Sequence, residues 1–244
     1  MKQLILVIDD DPEALAFLED YFGDTRSEVL AQDSQKDWRE SFKLNPRFLF
    51  IDPAKLSVPS RQQVEKFLAA DNRYVFVLGN SDDKNFSLAD SSRVHILFKP
   101  LDLVAFEEGL FKALVFPDKL RVLVIDDEME VCSGIKEFLE FRRAPAFEVD
   151  FALNGLEGFR KIESFKPDVT ILDIKMPVKS GHDLYREVQK KYRDLRVIIL
   201  TAAAGADEIE EIRKLGSPPF VEKGGQRSGF PGLLTLIKKQ WAFS

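Results

Sequence analysis

Short runs of branched and aromatic apolar residues recur along the chain, separated by longer stretches whose apolar positions fall at helical spacing. The first run, Gln3 to Ile8, is apolar at consecutive positions, which predicts a strand buried on both faces and therefore part of a parallel sheet. It ends in Asp9-Asp10-Asp11. Pro12 suits a first helical turn, and Leu15, Leu18 and Phe22 follow at helical spacing, predicting a helix to about Gly23. The same alternation predicts strands at Glu28 to Ala31, Phe48 to Ile51, Tyr74 to Leu78 and Val94 to Phe98, with helices at Gln35 to Leu44, Arg61 to Ala70 and Leu103 to Leu114. Asn80 to Ser92 is polar and weakly periodic, so only a short helix is expected there.

After Phe116-Pro117-Asp118 the pattern starts again, a repeat period of about 120 residues that marks a duplicated domain and not a solenoid. Strands are predicted at Leu120 to Ile125, Glu148 to Ala152, Val169 to Leu172, Val197 to Leu200 and Phe220 to Glu222. Helices are predicted from Met129 to about Arg142, Gly155 to Phe165, Asp183 to Tyr192, Asp207 to Leu215 and Gly232 to Trp241. Short apolar strands alternating with long helices give an α/β class: two tandem doubly wound domains, residues 1–117 and 118–244, each with a central parallel sheet of five strands. The linker, Pro117 to Lys119, is too short to let them move independently.

Composition narrows the function. A formal charge of -6 offers no broad attraction to phosphate backbones or anionic membranes, so neither nucleic acid nor membrane is an expected partner. Cys132, the one cysteine, excludes an intrachain disulfide and falls at an apolar helical position, which fits core packing. The run in MKQLILVIDD is too short for a signal peptide, and the expected location is cytoplasmic. His95 and His182 have no second ligand at metal spacing and read as ordinary histidines.

Charged residues concentrate where the strands end. In an open doubly wound sheet ligands bind outside the carboxyl ends of the strands, near the point where strand order reverses. In the second half that rule gathers Asp126 and Asp127, Asp173, Thr201 and Lys223. Close carboxylates repel unless a cation intervenes, and Mg2+ is the natural one because it takes oxygen ligands and keeps waters beside a carboxylate and a phosphate. A lysine and a hydroxyl facing such a site can bind phosphoryl oxygens while one carboxylate serves as nucleophile. The inventory is that of an aspartyl-phosphate site.

These residues resemble the receiver domains of two-component response regulators, in two tandem copies of which the second is the stronger. There VLVIDDE, ILDIKMPVKSGHDL, VIILTA and FVEK match the family's four blocks in order and spacing. The resemblance implies a flavodoxin-like fold, phosphoryl transfer to Asp173, Mg2+ bound by Asp127 with Asp126 in support, Asp173 itself, and the backbone carbonyl of Lys175. It implies that Thr201 and Lys223 contact the phosphoryl oxygens and that Phe220 occupies the place of the aromatic that turns inward on activation; core packing of Phe220 remains the competing reading. Lys223 is followed by Gly224-Gly225 where the family usually has proline, so a looser loop is expected before the last helix. The acidic run Asp207 to Glu211 reads as a solvated helix face on the surface through which receivers signal.

The first copy keeps Asp9, Asp10, Asp52 and Lys99-Pro100 but has Gly79 in the place of Thr201 and Ile96 in that of Phe220. It reads as a degenerate receiver serving partner contact or homodimerisation, with phosphorylation at Asp52 left open. The implied partners are a histidine kinase or phosphotransfer protein and a downstream protein. No effector fits after Trp241, and no enzymatic activity is expected beyond self-phosphorylation and self-dephosphorylation. Two competing readings are kept. Asp9-Asp10-Asp11 carries the Asp-x-Asp spacing of haloacid-dehalogenase-type phosphatases, although Lys175 stands where Asp173 would need a second acid. A purely structural, unphosphorylated scaffold is the other.

Overall fold

The computed structural model describes residues 3–32, 39–55, 58–70, 72–79, 92–202, 206–216, 218–223 and 229–244. Two compact units emerge, Met1–Val115 and Phe116–Ala242. In the first, five strands, β1 (Gln3–Ile8), β2 (Ser27–Gln32), β3 (Phe48–Ile51), β4 (Tyr74–Gly79) and β5 (Val94–Phe98), form a parallel sheet in the order β2-β1-β3-β4-β5. Its helices are α1 (Pro12–Phe22), α2 (Arg39–Phe42), α3 (Val58–Leu68) and α4 (Leu103–Ala113), with a 3-10 turn at Pro53–Lys55. The second unit repeats the plan with β6 (Lys119–Ile125), β7 (Ala146–Ala152), β8 (Val169–Leu172), β9 (Val197–Thr201) and β10 (Phe220–Glu222) in the order β10-β9-β8-β6-β7. Its helices are α5 (Met129–Glu140), α6 (Gly155–Phe165), α7 (Gly181–Lys191), α8 (Ala206–Gly216) and α9 (Phe230–Phe243). Each sheet is the parallel, flavodoxin-like arrangement, with strand order reversing between the first and third strands of its unit.

Alternation along β6 shows how the layers assemble. Leu120, Val122 and Val124 pack with Cys132, Ile135 and Leu139 of α5 and with Leu233, Leu236 and Ile237 of α9. Leu123 and Ile125 face the other way, toward Ile162 of α6, Leu184, Tyr185 and Val188 of α7 and Ile212 of α8. Two helices therefore cover one face and three the other. In the first unit Leu6, Ile8, Leu49 and Ile51 pack on Val64, Phe67 and Leu68 of α3. The opposite face is aromatic: Phe50 stacks on Phe76 at 4.9 Å and meets Phe22 of α1 and Phe106 of α4. The phenylalanines Phe42, Phe48, Phe50, Phe67 and Phe76, abundant in the first half, are thus mostly core.

Observed boundaries differ from the sequence-based ones where side-chain caps decide them. Ser180 caps α7 by accepting from the Asp183 amide, so the helix starts at Gly181 and not at Asp183. Asn154 likewise caps α6 through the Glu157 amide, and that helix spans Gly155–Phe165 as expected. Of the helix expected at Gln35 to Leu44, only Arg39–Phe42 is seen, and residues 33–38 lie outside the described residues, as does most of the polar stretch 80–92. Among the described residues no helix is long and apolar enough to cross a membrane.

The edge strand β7 is tended by its neighbouring helices. Lys136 and Lys161 donate to the carbonyls of Val149 and Phe151, while Glu140 and Glu157 accept from the amides of Val149 and Leu153. These are the alternate residues whose backbone groups face away from β6.

Gly181 sets the geometry of the loop after β8. Its amide donates to the Ile174 carbonyl at 2.8 Å, and a Cβ there would stand 1.8 Å from the carbonyl oxygen of Asp173. Only a residue without a side chain lets α7 start this close beneath the strand end. Gly181→Ala is expected to destabilise the second unit by about 1–3 kcal/mol, the usual cost of forcing atoms into a packed site. Hydrogen exchange of the β6 and β8 amides checks this, and exchange as slow as in wild type would contradict it.

Candidate functional site

The site is built by strand register. Beyond the last β6–β8 pair, Ile125 and Leu172, the ladder runs one bond further, from the Asp173 amide to the Ile125 carbonyl at 2.8 Å. The Asp126 amide is taken by the Ala152 carbonyl of β7 at 3.0 Å. Asp126 and Asp173 are therefore anchored by their own backbones, at the carboxyl ends of the two strands between which the order reverses. Asp126 is 1% exposed and Asp173 4%, while Asp127 is exposed at the rim. Oxygens of Asp126, Asp127 and Asp173 all lie within 4.8 Å of one another, and no other acid cluster of this kind occurs among the described residues.

Lys223 crosses from the end of β10 to balance this charge. Its Nζ stands 2.8 Å from Asp126 Oδ2, 3.3 Å from Asp173 Oδ2 and 2.7 Å from Glu128 Oε1. Burial alone would lower the ammonium's pKa, but hydrogen bonds to Asp126 and Glu128 and the charges of Asp126 and Asp173 raise it. The Asp126 carboxyl is pushed up by burial; its hydrogen bond to Lys223 opposes the shift and the charge of Asp173 adds to it. Buried carboxylate oxygens gathered in a cluster of three acids are the donor set a hard divalent cation takes. The residues present fit Mg2+.

The remaining sequence-predicted residues are placed as follows. The Lys175 amide donates to Asp173 Oδ1 at 3.4 Å, folding the loop back on the acid. Thr201 closes β9 and pairs in register with Glu222, one residue before Lys223; its side chain lies outside the described residues, as do Gly224 and Gly225. Phe220 is partly buried against the face covered by α6, α7 and α8, with the Arg213 guanidinium 5.9 Å from its ring. Glu211 is exposed, as expected of a solvated helix face, and from there meets His182 Nε2 at 2.9 Å and Arg186 at 3.3 Å, so His182 ties α8 to α7. Cys132 is buried, as expected, and its Sγ donates to the Asp126 carbonyl at 3.4 Å.

The first unit has the same frame and a different balance. The Asp52 amide reaches the Ile8 carbonyl at 3.0 Å, and Lys99 lies 2.7 Å from Asp9, 3.3 Å from Asp52 and 3.5 Å from Asp11. Asp9 is buried and Asp10 exposed. Three acids converge on the lysine here, yet Asp9, Asp10 and Asp52 do not form a cluster like that of Asp126, Asp127 and Asp173. Ile96 is 47% exposed and Gly79 closes β4. Sequence reasoning passed over Glu128, the third acid after β6, and weighed Asp11, the third after β1, only for its Asp-x-Asp spacing; the signal was the shared acidic triplet in IDDD and IDDE.

Comparison with known proteins finds a family match within the second unit. A family model described as the response regulator receiver domain matches residues 122–230. A protein-glutamate methylesterase/protein-glutamine glutaminase 3 of Geobacter sulfurreducens is 37% identical over 106 residues, covering 43% of this chain and 28% of the relative. The transcriptional regulatory protein PrrA of Mycobacterium leprae is 34% identical over 103 residues, 42% of this chain and 43% of the relative. The chain thus spans less than half the length of either. Among solved structures, the response regulator domain of Thermotoga maritima CheB has 29% identity, covers 51% of this chain and 98% of that one, and gives a TM-score of 0.46. Residues 122–230 are a response regulator receiver domain, a module of two-component signalling.

Two outcomes follow from the electrostatics. Burial, with the charge of Asp126 adding, pushes the Cys132 thiol from about 9 up to about 12, so it should resist thiol reagents at pH 8 until denaturant is added. A folded pKa above the unfolded one stabilises the fold below pH 9, and that contribution is lost as pH climbs toward 12. Rapid labelling of the native protein would contradict the burial. Lys223→Met removes the internal counter-charge, so the rise in melting temperature on adding Mg2+ should be larger than in wild type; calorimetry with and without the ion checks it.

Proposed function

From a receiver domain at residues 122–230, we propose that residues 118–244 accept a phosphoryl group on Asp173 in a Mg2+-dependent reaction and signal through protein contacts. The observation that carries this reading is the convergence of Asp126, Asp127 and Asp173 with Lys223 at the strand-order reversal. A carboxylate oxygen of Asp173 attacks the phosphorus of a phosphohistidine on a kinase or phosphotransfer protein. The P–N bond breaks, its electron pair returns to the imidazole nitrogen, which takes up a proton, and an acyl phosphate remains on Asp173. Asp126, Asp127 and Asp173, with the Lys175 carbonyl, would hold Mg2+, which when bound offsets the charge of the carboxylates and of the incoming phosphoryl group. Lys223, 3.3 Å from Asp173, is placed to bind a phosphoryl oxygen. Asp173's own backbone, fixed to β6, holds the nucleophile still.

Thr201 and Phe220 are the proposed reporters. Both stand on the β9–β10 pair, Thr201 opposite Glu222 and so one step from Lys223, Phe220 three residues before it and packed toward the α6, α7 and α8 face. A phosphoryl group adds charge and acceptor oxygens beside them, which is the kind of local change that a bistable loop and helix surface can report. The first unit is proposed as a degenerate receiver used for partner contact or dimerisation. Supporting this are Gly79 in place of the hydroxyl, Ile96 in place of the aromatic, and an ammonium shared among Asp9, Asp11 and Asp52. We place the protein in the cytoplasm, where histidine kinases present their phosphoryl groups.

Incubation with a small phosphoryl donor and Mg2+, read by mass spectrometry of peptides, should label Asp173 in wild type and in Asp52→Ala. Labelling should be lost in Asp173→Ala and on chelation of the metal. Equal labelling of Asp173→Ala and wild type would defeat the reading.

A further inference from the structure

The aspartate pair after β6 is followed by a third acid, Glu128, and the pair after β1 by Asp11. The two behave differently. Asp11 turns its carboxylate back to cap α1, accepting from the amides of Glu13 and Ala14, and stands 3.5 Å from Lys99. Glu128 precedes α5 but its side chain makes no cap hydrogen bond. Its longer arm reaches 2.7 Å to Lys223 Nζ, the shortest of that ammonium's contacts. The residues after the lysines differ too: Pro100 follows Lys99, whereas Gly224-Gly225 follow Lys223. Lys223 directly follows Glu222, the last paired residue of β10, so the sheet sets where its stem begins and its partners set where the ammonium stands.

Asp126 and Asp173 cannot supply that hold throughout a phosphorylation cycle. Asp126 belongs to the carboxylate trio that fits a divalent cation, and a cation there draws on the same charge and repels the ammonium. Asp173 changes its own charge when it carries a phosphoryl group. Glu128 lies outside the trio, with its side chain 58% exposed, and is the one partner of Lys223 that neither event consumes.

We propose that Glu128 is the positioning residue for Lys223, keeping its ammonium at the mouth of the carboxylate cluster when a divalent cation engages Asp126. The inference rests on the phosphoryl-acceptor reading given above. In the first unit the shorter acid caps the helix and stands 3.5 Å from Lys99, farther than Asp9 at 2.7 Å and Asp52 at 3.3 Å.

Competitive amine labelling of the full chain with a small acylating reagent, resolved by residue with mass spectrometry, follows Lys223 directly. In Mg2+, Glu128→Gln should raise the Lys223 labelling rate about two- to fivefold over wild type, the range open to a solvent-exposed ion pair, with Glu128→Asp between them. Lys161, distant in sequence and paired with Asp150, serves as the unchanged reference. Affinity for beryllofluoride in Mg2+ should fall by a similar factor in Glu128→Gln. In a Lys223→Ala background the same substitution should have no further effect. Equal Lys223 labelling in wild type and Glu128→Gln overturns the proposal, as does an undiminished effect on beryllofluoride affinity without Lys223. A wild type that neither binds beryllofluoride nor is labelled at Asp173 overturns the phosphoryl-acceptor reading instead, and the amine-labelling comparison then still decides the role of Glu128.

Discussion

Like charge held close by backbone is the constraint on which the second unit depends. Asp126 and Asp173 end adjacent parallel strands and each is tied through its amide to a neighbouring strand, so neither carboxylate can withdraw without breaking the ladder. Burial makes the repulsion stronger, as the upward shift at Asp126 records. The fold answers with one internal cation, Lys223, delivered from the far strand β10. A protein serving stability alone would be as well off with apolar residues at these positions, because burying paired charges gives little net gain. The cluster is therefore best understood as a site kept ready for an added cation and an added anion.

The two units show how one frame supports different balances of charge. In both, the amide after the last residue of the third strand reaches the first strand, and in both a lysine closes over the acids. Each lysine meets three acids, but in the first unit one of them is a helix cap, and only in the second do the described residues form a carboxylate trio. That difference lies in a handful of side chains; the sheet orders are the same.

Much of this was legible in the sequence. Runs such as Phe48–Ile51 and Val169–Leu172 gave strand limits that match to the residue, because a strand buried on both faces has no exposed position to blur its ends. The carboxylates and lysines were legible because each stands at the end of such a run. Helix starts were less so: Ser180 sets the start of α7 at Gly181 through a side-chain bond that periodicity does not register. Neither Glu211 as a partner of His182 nor Glu128 as a partner of Lys223 could be read from spacing, since each pairs two segments brought together only by the fold. The close approach of Gly181 to Asp173 was visible as a glycine, but not as a steric requirement.

The treatment of β7 bears on how the second sheet ends. An edge strand ordinarily presents a row of unpaired amides and carbonyls on which a foreign strand can grow. Here Lys136, Glu140, Glu157 and Lys161 occupy three successive outward-facing residues with charged groups, donor against carbonyl and acceptor against amide. A strand pairing along residues 149–153 would have to displace two lysines and two glutamates, so on that stretch the sheet opposes the addition of a sixth strand.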